Sequence, residues 1–98
     1  MTLGRVVGTV VATQKDHKLQ GAKLLIVEQV DLDMKSKGNF TVAADTVGAG
    51  FGEIVLCVSG SSARLTEGMK DMPVDMAIMA IVDALEVEGN IRYQKYEP

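Results

Sequence analysis

The chain has 98 residues, 47% of them apolar and 23% charged, with a formal net charge of −3 and a single cysteine. That length holds one domain with one modest core. The acidic balance has the wrong sign for a general nucleic-acid binder, which displaces phosphate counterions with Lys and Arg. An aromatic content of 4% leaves few rings for stacking bases, and one cysteine cannot close an internal disulfide.

Residues 1–5 (Met-Thr-Leu-Gly-Arg) show no basic segment leading into an apolar run, so no signal peptide is expected. The longest uninterrupted apolar run, residues 76–82, is seven residues long, against the roughly 20 that a spanning helix needs. The expectation is a cytoplasmic protein with no membrane partner. Residues 1–83 read as one domain and residues 84–98 as a more polar C-terminal segment.

Short runs rich in Val and Ile, broken by Gly, favour strands, because branched side chains fit a pleated surface. A first strand is expected over residues 3–13. Its alternate positions Val6 and Val10 fall on one face and Val7 and Val11 on the other. Residues 14–20 form a polar loop that contains His17, and Gly21 marks a turn. A second strand over 22–32 again has two apolar faces, with Leu24, Ile26 and Val30 opposite Leu25 and Val27. Residues 33–39 read as a turn, 40–44 as a short third strand and 53–59 as a fourth.

A short helix is expected to start at 60–65, where Ser61 or Ser62 can cap it. Residues 76–85 fit helix and strand alike, and Ala and Met tip the local pattern toward helix. Residues 93–96 are a last strand or a tail. A barrel hides only one face of each strand. The apolar outer faces of the first two strands therefore predict an obligate oligomer.

Gly48-Ala49-Gly50-Phe51-Gly52-Glu53 has the look of a phosphate-cradling loop, but Glu53 stands where the dinucleotide fingerprint needs a third glycine, and a β-rich run follows in place of a helix. A tight structural turn is the better reading. One histidine cannot build a histidine-rich metal site. Cys57 lies between Leu56 and Val58 with no base nearby in sequence, which fits a buried, inert thiol. The acids Asp45, Glu53, Asp75 and Asp83 are scattered; capping turns, pairing with Arg5 or Arg64, or facing solvent suits them better than acid–base work. The 61–64 run (Ser-Ser-Ala-Arg) could hold an anion at a helix start, though capping and an arginine salt bridge account for it. No nucleophile, base and oxyanion site assemble, so no enzyme activity and no cofactor are expected.

Several segments in order carry more. They are 8–15 (GTVVATQK), 19–27 (LQGAKLLIV), 42–56 (VAADTVGAGFGEIVL), 60–64 (GSSAR), and 73–75 (PVD) leading to 80–83 (AIVD). The ordered set resembles the EutN/CcmL family, the pentameric vertex proteins of bacterial microcompartment shells, over about residues 1–85. The resemblance implies an all-β fold: an OB-like five-stranded β-barrel with a short helix, followed here by the C-terminal extension. It also implies that residues 76–83 are a barrel strand, although Met76 and Met79 stand where smaller or branched residues are usual.

The implied role is geometric. A homopentamer would cap the vertices of a polyhedral shell and contact hexameric shell proteins, without catalysis, nucleic acid or membrane. Crowding near a symmetry axis or subunit seam favours small residues. The loops holding Gly48, Ala49, Gly50, Gly52 and Glu53, and Gly60, Ser61, Ser62 and Arg64, are therefore expected at inter-subunit contacts or around the axial opening. Arg64 is expected to pair across the seam with Asp45 or Glu53. An OB-type nucleic-acid binder and a small ligand-binding ring are the alternatives. Salt-dependent binding of single-stranded DNA would mark the first, and a co-purifying metabolite the second.

Overall fold

The computed structural model describes residues 1–13, 21–60 and 75–96. Seven strands run through them: β1 (Thr2–Val10), β2 (Lys23–Val30), β3 (Ser36–Asp45), β4 (Ile54–Ser59), β5 (Met76–Ile81), β6 (Ala84–Val87) and β7 (Asn90–Gln94). The first five close into a barrel in the order β1-β2-β3-β5-β4, and β6 and β7 make a separate two-stranded sheet. Every barrel seam is antiparallel except the parallel one between β3 and β5. The closing seam is short: β3 meets β5 only at Ala44–Ala77 and Asp45–Ile78.

The core is built from small and branched side chains. Val6, Leu25, Val27, Ala43, Ala49, Val55, Cys57 and Ile78 form one cluster, with Met76 and Ile81 packed against it. Ala44, Ile54, Val58 and Ala77 are buried too, at positions alternating with inward ones. β4 and β5 are thus covered on both faces, and burying each Val, Leu or Ile contributes roughly 1.5–3 kcal/mol. This two-sided burial explains why residues 76–81 are strand, against the local lean toward helix: Ala77 and Ile78 face opposite ways and both are fully buried, so tertiary context overrides propensity. No α-helix occurs among the described residues. The helix expected at 60–65 falls mostly outside them, and the 14–20 loop with His17 lies wholly outside.

Register shifts reset the strand faces. In β1 the register shifts between Val6 and Gly8, so that Val6 pairs with the inward Val27 while Val10 pairs with Leu24. Val6 and Val10 therefore do not share a face, contrary to the simple alternation read from sequence; one extra residue inverts a period of two. In β2 a second shift falls between Glu28 and Val30.

β3 is longer than expected, beginning at Ser36, which pairs with Val30. The turn before it is compact. Asp31 Oδ1 accepts the N–H groups of Asp33 (2.8 Å) and Lys35 (3.1 Å), and these bonds hold the Asp31 carboxyl below its usual range.

The C-terminal segment is a hairpin. Val87 pairs with Asn90 across a two-residue turn, Glu88-Gly89, with φ of 52° and 82°. Positive φ at both central residues is the type I′ signature, the turn whose twist matches that of the strands it joins.

Candidate functional site

The glycine-rich segment after β3 is one loop held by two carboxylates. The Asp45 side chain is 1% exposed. Its Oδ1 accepts the Val47 N–H at 3.1 Å and its Oδ2 the Ala49 N–H at 3.0 Å. A buried carboxylate needs such partners. Lys23 supplies the counter-charge: Nζ lies 3.5 Å from Asp45 Oδ2 and donates to the Ala49 carbonyl at 3.2 Å. Ala49 is buried and pins the loop to the core.

The second half of the loop is a four-residue turn. The Glu53 N–H donates to the Gly50 carbonyl at 3.2 Å, and Gly52 sits third with φ of 84°, where a type II turn demands positive φ. Two further backbone bonds stitch the turn to β1: Gly52 N–H to Val6 carbonyl (2.8 Å) and Val6 N–H to Glu53 carbonyl (3.0 Å). The Glu53 side chain accepts the Gly50 N–H on Oε1 and the Lys95 ammonium on Oε2. The Lys95 hydrogen bond and then the Gly50 N–H hold the Glu53 carboxyl below its usual range, and the same carboxylate pushes Lys95 up. At the tip, Phe51 is 82% exposed.

This wiring answers the phosphate question. A cradle must offer free N–H groups, and those of Ala49, Gly50 and Gly52 are each taken by Asp45, Glu53 and Val6. Two carboxylates within the loop also oppose an anion.

Gly48, Ala49, Gly50, Gly52 and Glu53 thus form a single unit, as the sequence grouped them. Gly60 lies beyond β4, where its N–H donates to the Asp75 carbonyl at 2.8 Å. Ser61, Ser62 and Arg64 lie outside the described residues. Arg5 pairs with Glu28 at 3.1 Å and donates to the Met34 carbonyl at 2.9 Å, rather than meeting one of the four acids singled out in the sequence. Sequence spacing does not reveal Lys23 and Lys95, because nothing in a linear sequence ties a lysine to a carboxylate 22 or 42 residues away. Cys57 is buried, and burial pushes its thiol up to about 11, which suits an inert core residue. Among the described residues no cluster of His, Cys, Asp and Glu could hold a metal ion.

Two surfaces remain. The outer face of β1, β2 and β3 lines up Gly8, Ile26 and Val42 in one row and Arg5, Glu28 and Phe40 in the next. Phe40 is 60% exposed and Val42 is 45% exposed, an apolar face of the kind that marks protein contacts. A cleft of about 200 Å³ opens beside Val27, Phe40, Cys57 and Met76. No charged side chain among the described residues lines it, so it has no grip on an ionic ligand.

Known proteins share this architecture. Residues 1–83 match the family model described as ethanolamine utilisation protein EutN/carboxysome. The carboxysome shell vertex protein CcmL of Nostoc sp. is 47% identical over 96 residues, spanning 97% of this chain and 95% of the relative; its solved structure superimposes with a TM-score of 0.93, covering 97% of this chain and all of that one. The microcompartment shell vertex protein EutN of Escherichia coli K12 is 42% identical, spanning 97% of this chain and all of the relative. A solved structure of GrpN from Rhodospirillum rubrum, described as a pentameric microcompartment shell protein, is 45% identical with a TM-score of 0.81, covering 89% of this chain and 99% of that one.

Proposed function

The chain belongs to the EutN/CcmL family of microcompartment shell vertex proteins, and from that membership we propose that five copies close into a ring that caps a vertex of a polyhedral shell. A layer of hexagonal tiles is flat, and closing it into a polyhedron requires fivefold units. A ring of identical chains uses a head-to-tail interface, in which one patch meets a different patch on the neighbour and the rotation closes. The observation that carries this reading is the exposed apolar face around Phe40 and Val42, which a lone barrel would leave in water. The family is structural, and no residue here is given a catalytic role.

In this reading the loops at residues 48–53 and 60–64 lie at the subunit seam or around the axial opening. The exposed Phe51, on a turn fixed from both sides, supports such a contact. Of the two acids expected to meet Arg64, Asp45 is sealed within its own loop, so a seam pair would use the 20% exposure that Glu53 retains. The rim of the ring then meets hexameric shell proteins. The test is electron microscopy of hexameric shell proteins expressed with and without this chain. Closed polyhedra that depend on it support the role, and identical assemblies in both preparations contradict it.

A further inference from the structure

We infer that Lys95, at the end of the C-terminal hairpin, is a positioning residue that sets the shape of the 48–53 loop, and that the hairpin thereby controls how well the ring assembles. The inference rests on the reading that this loop meets a neighbouring subunit.

The loop needs clamps. Glycines at 48, 50 and 52 leave its backbone free to take many conformations. Its first half is fixed from within the barrel by Asp45 and Lys23. Its second half depends on Glu53, whose carboxylate divides its oxygens between the Gly50 N–H and Lys95. Both charged side chains are mostly covered, 24% exposed for Lys95 and 20% for Glu53, and charge-assisted bonds in such surroundings are among the stronger ones.

The hairpin holds Lys95 where it can reach. The Lys95 N–H donates to the Asp83 carbonyl at 2.8 Å, the Val82 N–H donates to the Ile54 carbonyl at 2.8 Å, and Arg92 pairs with Asp33 on the turn before β3. A two-stranded hairpin alone is marginally stable in water; the Lys95–Asp83 bond closes its base, and the Val82–Ile54 and Arg92–Asp33 contacts fix its place on the barrel. A segment outside the matched residues 1–83 is in this way wired to a loop inside them.

The experiment compares the wild-type chain with Lys95→Gln, Lys95→Arg and Glu53→Gln. Amide hydrogen exchange of residues 49–53 is followed at a concentration where native mass shows rings, and ring dissociation is followed on dilution. Lys95→Gln is expected to speed exchange of the Gly50 amide about tenfold and to bring dissociation at a correspondingly higher concentration. Glu53→Gln, which keeps a carbonyl acceptor for Gly50, is expected to shift both in the same direction, and Lys95→Arg to restore most of both. Wild-type exchange in Lys95→Gln and Glu53→Gln overturns the inference. Faster exchange with an unchanged dissociation point overturns assembly control and the seam reading of the loop, while leaving the clamp itself in place.

Discussion

Gly4 and Val27 meet so closely inside the barrel that a Cβ on Gly4 would stand 2.3 Å from Val27 Cγ1. Gly4 therefore serves packing rather than a special backbone angle. Gly4→Ala is expected to destabilise the fold by about 1–3 kcal/mol through overpacking. Adding Val27→Ala makes room, so the double variant should be less destabilised than the sum of the two singles. Urea unfolding at a fixed subunit concentration measures this; strict additivity would show that the two side chains do not compete for the same space.

Removing the loop's buried cap should cost more than most surface changes. Asp45→Ala leaves the Val47 and Ala49 N–H groups without their acceptor and Lys23 without its counter-ion. The expected loss is about 2–4 kcal/mol. Asp45→Asn keeps one carbonyl oxygen and should lose less. Equal stability of the two variants would show that the capping bonds contribute little.

The bulge in β1 separates two substitutions that simple alternation would treat alike. Val6 is 2% exposed and sits in the core cluster, so Val6→Asp buries an unpaired carboxylate at a cost of several kcal/mol and should abolish folding. Val10 pairs with Leu24 beyond the bulge, at a partly exposed position. Val10→Asp should yield folded β-rich subunits that assemble poorly. Circular dichroism together with native mass separates the outcomes, and a folded Val6→Asp ring would contradict the inward placement of Val6.

The Glu53–Lys95 pair predicts a stability plateau with two limbs. The Glu53 carboxyl is held below its ordinary value of 4.5, so the stability it contributes is present above that value and is lost as pH falls through the lower folded value. Lys95 is raised above 10.5, so its contribution is present below that value and is lost as pH rises through the higher folded one. Unfolding measured from pH 7 down to 3 should show an acid limb that Glu53→Gln makes shallower. An unchanged limb in that variant would assign the acid sensitivity to other carboxylates, Asp31 among them.

Much of this was legible in the sequence because its physics is local. Branched residues with two apolar faces marked β1 and β2, and the glycine spacing marked the 48–53 turn. What escaped was non-local or set by one residue. The bulge beside Val7 inverts the face of Val10 without any glycine or proline at the inserted position. β6 and β7 hide behind Glu88, a residue rarely found at positive φ. The lysines that clamp the loop lie 72 residues apart in the chain; the β2–β3 register sets Lys23 opposite Asp45, and the C-terminal hairpin brings Lys95 to Glu53.

Native mass spectrometry of the purified chain across micromolar concentrations reads the number of subunits in the ring. A dominant species of five times the 10.5 kDa subunit is expected; monomer alone, or a six-subunit ring, would rule out the pentameric vertex ring.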